Sequence, residues 1–451
     1  MFHLVLVVAF IDLFCSYNRA YEYWPAALVR PNDTAGVAAA VMCAVKTNVK
    51  VQPRCGGHSF ADYSIGGQDG SLVVDLKQLQ KYEIDSTTWQ AKVGGGTLLG
   101  DLTKRMHESG GRAMAHGTCP QVGLGGHATI GGLGPTSRQF GAALDHIVEV
   151  EVVLANGTVT RANEQNNSDL FFAIRGAASS FGIVTEFVVK TEPEPAQVVE
   201  YSYNFILGSP KNGANTFKSW QKFISNPNLD RRLASQLTVT QFAMIVSGSF
   251  FGTEDEFRAT GFDAALNSTG KVSVAKDWLG TVLHWAEGEF LSAIGGIPAP
   301  FYSKSLDFRN DTLMSDATVD ALFNYMDVTD KGTLIWTAIF DLEGGAINDV
   351  PADATAYGHR DALYYIQTYG IGLTGLSSKT TAFLNGIDSL VRKAMPKVDF
   401  GAYAGYVDPQ LGDDAQRQYF KGNLPRLQQL KAKYDPSEVY WNPQSIKPVA
   451  A

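Results

Sequence analysis

His58 and Cys119 are the side chains of this 451-residue sequence best placed to bond covalently to an electron-poor ring. An imidazole and a thiol are the strongest side-chain nucleophiles near neutral pH. His58 stands in Arg54-Cys55-Gly56-Gly57-His58-Ser59-Phe60, and Cys119 in Gly117-Thr118-Cys119-Pro120-Gln121-Val122-Gly123. Gly125, Gly126, Gly131, Gly132 and Gly134 follow closely. Glycine lets backbone amides approach a ligand with no Cβ in the way, and successive amides form anion-binding nests. Taken singly, a histidine in such a turn is most simply satisfied by backbone, and a free cysteine is most simply a small buried hydrophobe. The two together, each beside glycines, point to a cofactor site.

A pyridine-dinucleotide site does not account for these glycines. Gly123-Leu124-Gly125-Gly126-His127-Ala128 fits the loose dinucleotide fingerprint, but His116 to Pro120 precede it where a hydrophobic strand is required. Gly94-Gly95-Gly96-Thr97-Leu98-Leu99 ends on leucine where the last glycine belongs, and no Gly-Lys-Ser/Thr follows either cluster.

Motif by motif the chain resembles the FAD-linked oxidases of the berberine-bridge-enzyme-like family, and within it the fungal glucooligosaccharide and chitooligosaccharide oxidases. The matching pieces include the His58 and Cys119 turns, Val73-Val-Asp-Leu76, Gly131-Gly-Leu-Gly134, Asp169-Leu-Phe-Phe-Ala-Ile-Arg-Gly176 and Phe181-Gly-Ile-Val-Thr185. Tyr440-Trp-Asn-Pro-Gln-Ser-Ile446 completes the pattern, so the likeness covers nearly the whole chain. It implies an α+β, two-domain PCMH-type FAD-binding fold with a helix-covered antiparallel sheet as substrate domain. It also implies one FAD bonded twice, to His58 at the 8α-methyl and to Cys119 at C6. Arg54, Gly56, Gly57, Ser59, Gly117, Val122, Gly123, Gly126, His127, Gly132, Gly182, Ile183, Val184, Asn442 and Gln444 would line that cofactor. Val122, small where dehydrogenase members carry leucine, implies access for O2.

Oxidising an alcohol by flavin requires a base for the hydroxyl proton while hydride leaves the carbon. The resemblance assigns that base to Tyr406, in Tyr403-Ala-Gly-Tyr406-Val-Asp408, with Asp341 of Asp341-Leu-Glu-Gly-Gly345 assisting. A phenol with an ordinary pKa of about 10 needs such help at neutral pH. A carboxylate raises that pKa by like-charge repulsion, so its use is as hydrogen-bond acceptor or relay. Phe60, Gln367 and Tyr403 are the expected substrate contacts. The implied reaction is oxidation of a reducing-end C1 hydroxyl of an oligosaccharide to a lactone, with O2 reduced to H2O2. Phe60, Thr337 and Ile339 depart from the oligosaccharide oxidases, which carry tyrosine, tryptophan and glutamine there. Trp336 is one position off. A more apolar pocket would suit a phenolic, alkaloid or other secondary-metabolite alcohol. A non-catalytic flavin-binding protein is the third reading.

Several elements must position these groups. Asn32-Asp-Thr34 predicts a helix start, and Lys50 to Arg54 a strand delivering the His58 turn. Val148 to Leu154 alternates as a strand, Asn156-Gly157 signals a hairpin, Asp169 to Arg175 opens a helix, and Ile183 to Lys190 alternates again. Proline-punctuated Thr191 to Pro195 marks a boundary. Beyond it Val198 to Phe205, Ala234 to Val246 and Leu334 to Asp341 read as long strands, and Asp413 to Tyr434 as one helix. The expected division is a flavin domain at 21–192, a substrate domain at 193–399 and a return to the flavin domain at 400–451. Residues 1–20 read as a signal segment or an incomplete start, because Leu4 to Phe14 has a signal core's length but contains Asp12.

Bulk properties narrow the partners. A net charge of -8 argues against nucleic acid, and a run as short as Leu4 to Phe14 cannot span a bilayer. No Cys-x-x-Cys or His-x-x-x-His spacing exists, so no metal is expected. Of four cysteines, Cys43 and Cys55 could pair across the helix and strand that carry them. Sequons at Asn32, Asn156, Asn166, Asn267 and Asn310 favour a secreted glycoprotein. A monomer is expected.

Overall fold

The computed structural model describes residues 17–206, 208–275, 277–288 and 298–449, so the apolar run Leu4 to Phe14 lies outside the described residues. The first half of the chain builds two main sheets and a two-stranded antiparallel pair, Arg112–Ala113 with Glu192–Pro193. Ala27–Val29 (β1), Val51–Arg54 (β2) and Leu72–Asp75 (β3) form a parallel three-stranded sheet in the order β1-β3-β2. Helix α1, Thr34–Thr47, covers it, capped by Asp33, whose carboxylate accepts from the Gly36 amide. Tyr82–Asp85 (β4), Gln90–Gly94 (β5), Ile147–Leu154 (β6), Val159–Asn163 (β7) and Gly182–Lys190 (β8) form an antiparallel five-stranded sheet, order β4-β5-β8-β6-β7. Gly157 takes the positive φ of 77° that the Asn156-Gly157 hairpin between β6 and β7 demands.

From Val199 a seven-stranded antiparallel sheet takes over. Its strands are Val199–Ile206 (β9), Gln236–Thr240 (β10), Ala243–Phe250 (β11), Lys271–Val274 (β12), Phe301–Arg309 (β13), Ile335–Leu342 (β14) and Ala362–Ile371 (β15). Their order is β12-β9-β11-β10-β14-β15-β13. Side chains alternate across a strand. One face therefore packs Tyr201, Leu237, Val246 and Phe340 against helices Pro210–Ile224, Asp316–Val328 and Ser378–Ala394. The other face turns polar residues toward the first half of the chain. Leu424–Tyr434 and Ile446 return to the first half, where Leu427, Leu430 and Ile446 join its core. Mixed sheets with segregated helices make this an α+β fold, as expected.

Three expectations need correction. Ala234 to Val246 is two strands rather than one, because Thr240 Oγ1 accepts from the Phe242 and Ala243 amides and turns the chain. Leu237 and Val239 alternate before that turn and Met244 and Val246 after it, with no glycine or proline between them to mark the change of phase. Asp413 to Tyr434 is not one helix. Lys421 takes φ 48°, Gly422 follows, and Pro425 starts a new helix at Leu424–Tyr434. Cys43 and Cys55 do not pair: both are thiols, Cys43 exposed on α1 and Cys55 in the turn after β2.

Candidate active site

The two glycine turns are locked together. A Cβ on Gly56 would stand 2.4 Å from the Gln121 carbonyl, and one on Gly123 2.4 Å from both the Gly56 amide and Cys55 Sγ. Only glycine permits that approach, which brings the His58 turn at the end of β2 against the Cys119 turn. Both turns open onto one cavity of about 790 Å³, bounded by the two halves of the fold and by the polar face of the seven-stranded sheet.

His58 lies on its wall with its ring 4.3 Å from that of Tyr17. Burial pushes its pKa down to about 4, so the imidazole is neutral and its nitrogen lone pair is available for bonding. Cys119 is a thiol on the same wall. Its turn is braced by two histidines, His116 buried and His127 facing the cavity. His127 Nε2 accepts from the Gly117 amide at 2.9 Å, and His116 Nδ1 donates to the Gly117 carbonyl at 2.7 Å. Burial holds His127 neutral, with a pKa near 3.

Of the residues expected to hold a cofactor, all but Arg54, Gly132 and Ile183 line the cavity. Arg54 lies beneath Gly57, whose missing Cβ would stand 3.0 Å from its Nε. Ile183 alternates away into the core shared with α1. The Gly132 amide donates to the Tyr403 hydroxyl at 2.9 Å. Ser59 Oγ closes its own turn by accepting from the Tyr63 amide. Gln444 accepts from the Tyr419 hydroxyl and donates to the Asp408 carbonyl, which ties the C-terminal segment to the Tyr406 loop. Gly126 faces open space, with no atom within 4 Å of where a Cβ would stand. A backbone cradle, a neutral imidazole and a thiol in one large cleft fit a covalently held flavin.

Tyr406 and Asp341 meet in this cavity although distant in sequence. The Tyr406 hydroxyl donates to Asp341 Oδ2 at 3.4 Å, and Gln236 Nε2 donates to Oδ1 at 2.6 Å. Burial, only partly offset by those two hydrogen bonds, pushes the Asp341 carboxyl up to about 6. The Tyr406 ring stacks on Phe60 (centroids 5.9 Å apart, planes at 24°) and meets Tyr403 edge-on at 5.0 Å. Tyr403 is buried with its hydroxyl engaged by Gly132, so it shapes the Tyr406 wall rather than offering a free polar contact. Gln367 lines the cavity with its amide nitrogen buried and without a protein partner, available to a ligand. Ile339 is its cross-strand neighbour, and Thr337 lies opposite Tyr369. Trp336 points to the other face, packs on Phe383 and donates its indole N–H to Gln241, so it does not replace a ring in the cavity.

Gln236, Tyr17 and Tyr369 belong to the site but carried no motif. Gln236 is brought to Asp341 by β10–β14 pairing alone. Tyr369 stacks on Phe301 and meets Phe60 edge-on at 5.6 Å, completing an aromatic wall next to Tyr17.

Comparison with known proteins places the chain. Residues 25–163 match the FAD binding domain family, and residues 402–447 the berberine and berberine-like family. The chain is 41% identical over 441 residues to the FAD-linked oxidoreductase sorD of Penicillium rubens, covering 97% of this chain and 93% of that protein. The xylooligosaccharide oxidase from Myceliophthora thermophila C1, solved with xylobiose, superposes with a TM-score of 0.92 at 32% identity, covering 98% of this chain and 96% of that one. The glucooligosaccharide oxidase from Acremonium strictum, whose FAD is described as 6-S-cysteinyl and 8α-N1-histidyl, superposes with a TM-score of 0.89 at 30% identity, covering 98% and 96%. The chain belongs to the berberine-bridge-enzyme-like family of FAD-linked oxidoreductases.

Proposed function

We propose that this protein is an oxidase that holds FAD through both His58 and Cys119 and oxidises a CH–OH group with Tyr406 as base. The observation that carries the reading is the Tyr406–Asp341 hydrogen bond in the cavity that also exposes His58 and Cys119. Bound there, FAD would accept the hydride and pass the electrons to O2, giving H2O2. The protein's own part is the proton. Tyr406 takes it from the substrate hydroxyl as its own passes to Asp341. A carboxyl raised to about 6 by burial is a stronger acceptor than an ordinary aspartate, and Gln236 fixes which oxygen faces Tyr406. Residues 21–192 with 400–451 form the flavin-holding part and 193–399 the substrate part.

Solved relatives named as oligosaccharide oxidases support a sugar substrate, and our reading is that its reducing-end C1 hydroxyl is oxidised to a lactone, with Gln367 presenting its amide to the ring. One observation favours a second reading, a phenolic or other secondary-metabolite alcohol: Phe60, Tyr369 and Ile339 leave the wall beside Tyr406 with few groups able to read sugar hydroxyls. All five sequon asparagines are exposed, which supports a secreted glycoprotein. Among the described residues no helix is long and apolar enough to cross a membrane. H2O2 release measured on reducing sugars and on phenolic alcohols tests the assignment. Turnover of sugars supports it, and turnover of phenolic alcohols alone replaces it with the second reading.

A further inference from the structure

The polar face of the seven-stranded sheet carries a register-matched row. Asp341 on β14 pairs with Gln236 on β10, Gln236 with Ser247 on β11, Ser247 with Ser202 on β9, and Ser202 with Lys271 on β12. All five line the same cavity, so the cleft runs from the catalytic aspartate to the edge of the sheet. One residue pair along β9 from this row stands Glu200, between Ser249 and Ser273. Helix Trp278–Gly288 lies over this end. Its His284 donates from Nδ1 to Glu200 Oε2 at 2.6 Å, and its Trp285 indole N–H donates to Ser249 at 2.8 Å. The other carboxylate oxygen, Glu200 Oε1, is buried and has no protein partner. A buried acceptor left open in a polar cleft awaits a hydrogen-bond donor.

We propose that Glu200, fixed by His284, is a distal recognition site that accepts a hydrogen bond from a hydroxyl on the remote rings of an extended sugar chain. Three strand spacings separate β14 from β9, about 14 Å at the usual interstrand distance, so one ring oxidised at Tyr406 does not reach Glu200. Serine hydroxyls and Lys271 flanking the path suit a hydroxylated chain and would leave an apolar tail facing unpaired polar groups. The inference rests on the sugar reading above and adds a preference for length. Glu200→Gln keeps an oxygen for His284 and turns the open acceptor into a donor.

The test is anaerobic flavin reduction of the holoenzyme by glucose, cellobiose and cellotriose. In the wild type the half-saturating concentration falls from glucose to cellotriose. In Glu200→Gln the ratio between those two sugars shrinks by about 10- to 100-fold, the span of one hydrogen bond to a charged group. His284→Ala, on a half-exposed side chain, shifts it the same way and serves should Glu200→Gln fail to fold. If none of the three sugars reduces the wild-type flavin, the sugar reading fails and this inference with it. If they do, an absent length preference in the wild type, or the same ratio in wild type and both variants, overturns this inference alone.

Discussion

Phe60 lies stacked on Tyr406, 5.9 Å between centroids and 24° between planes, so the residue two places after His58 forms a wall beside the proposed base. The His58 turn therefore carries both the expected flavin bond and a cavity surface proposed to meet substrate. Phe60→Tyr adds one hydroxyl to that wall. It is expected to raise kcat/KM for reducing sugars about 2- to 10-fold and to leave phenolic alcohols unimproved, the size of one neutral hydrogen bond. Steady-state H2O2 assays on both classes check this, and equal shifts for both would show that the hydroxyl reads neither.

Tyr406→Phe deletes one oxygen and keeps the ring packed on Phe60 and Tyr403. Flavin reduction should slow by about 10²- to 10⁴-fold with the protein folded and yellow, the range for losing a general base. Reduction at the wild-type rate in anaerobic stopped-flow would remove Tyr406 from the mechanism.

Asp341 gives that step a pH dependence. Its carboxyl, raised to about 6 by burial, must be ionised to accept the Tyr406 proton, so the reduction rate falls as pH drops through about 6. Asp341→Asn should be slower and should lose this acidic limb. The stability sign runs the other way. Between the ordinary carboxylate value and about 6 the native state holds more protons than the unfolded chain, so this group's contribution to stability declines as pH rises through that window. Asp341→Asn should therefore raise Tm at pH 7. A pH–rate profile with the same limb in wild type and variant would exclude Asp341 as its source.

The pairing of Tyr406 with Asp341 was legible because each lies in a short motif, and the His58 and Cys119 turns were legible because glycine spacing betrays close backbone approach. Gln236 was not, since its role comes from β10 lying beside β14, a long-range register that leaves no local mark. The β10–β11 turn hid for a related reason: threonine turned the chain where glycine or proline would have announced it. The helices and alternating strands of the first half could be read from periodicity and caps. The break at Lys421 could not, because a lysine at φ 48° is uncommon enough that sequence gives no warning.

A buried cluster secures the return of the C-terminal segment. Asp307 Oδ2 takes His359 Nδ1 at 3.1 Å and Lys421 Nζ at 2.5 Å, while Oδ1 accepts from the Gly401 amide at 2.6 Å. Burial alone would raise its carboxyl, but His359 and Lys421 outweigh that and hold it well below the usual carboxylate range. Its stabilising contribution is therefore present above the unfolded value of about 4 and is lost as pH falls below it. Asp307→Asn should cost roughly 3–5 kcal/mol at pH 7, the loss on breaking a buried pair. Urea unfolding across pH checks both, with the variant showing the smaller acid dependence.

Val122 lines the cavity three positions after Cys119. Val122→Leu fills space there, and is expected to slow reoxidation by air while sparing reduction by substrate. Equal reoxidation rates in stopped-flow would take Val122 out of oxygen access.

The most direct measurement is the fate of the flavin on acid denaturation. His58 and Cys119 share one cavity wall, and each is expected to bond the cofactor by itself. Precipitated wild type, His58→Ala and Cys119→Ala should each retain yellow flavin in the pellet, and only the double variant should release all of it to the supernatant. Free FAD released from the denatured wild type would contradict the account.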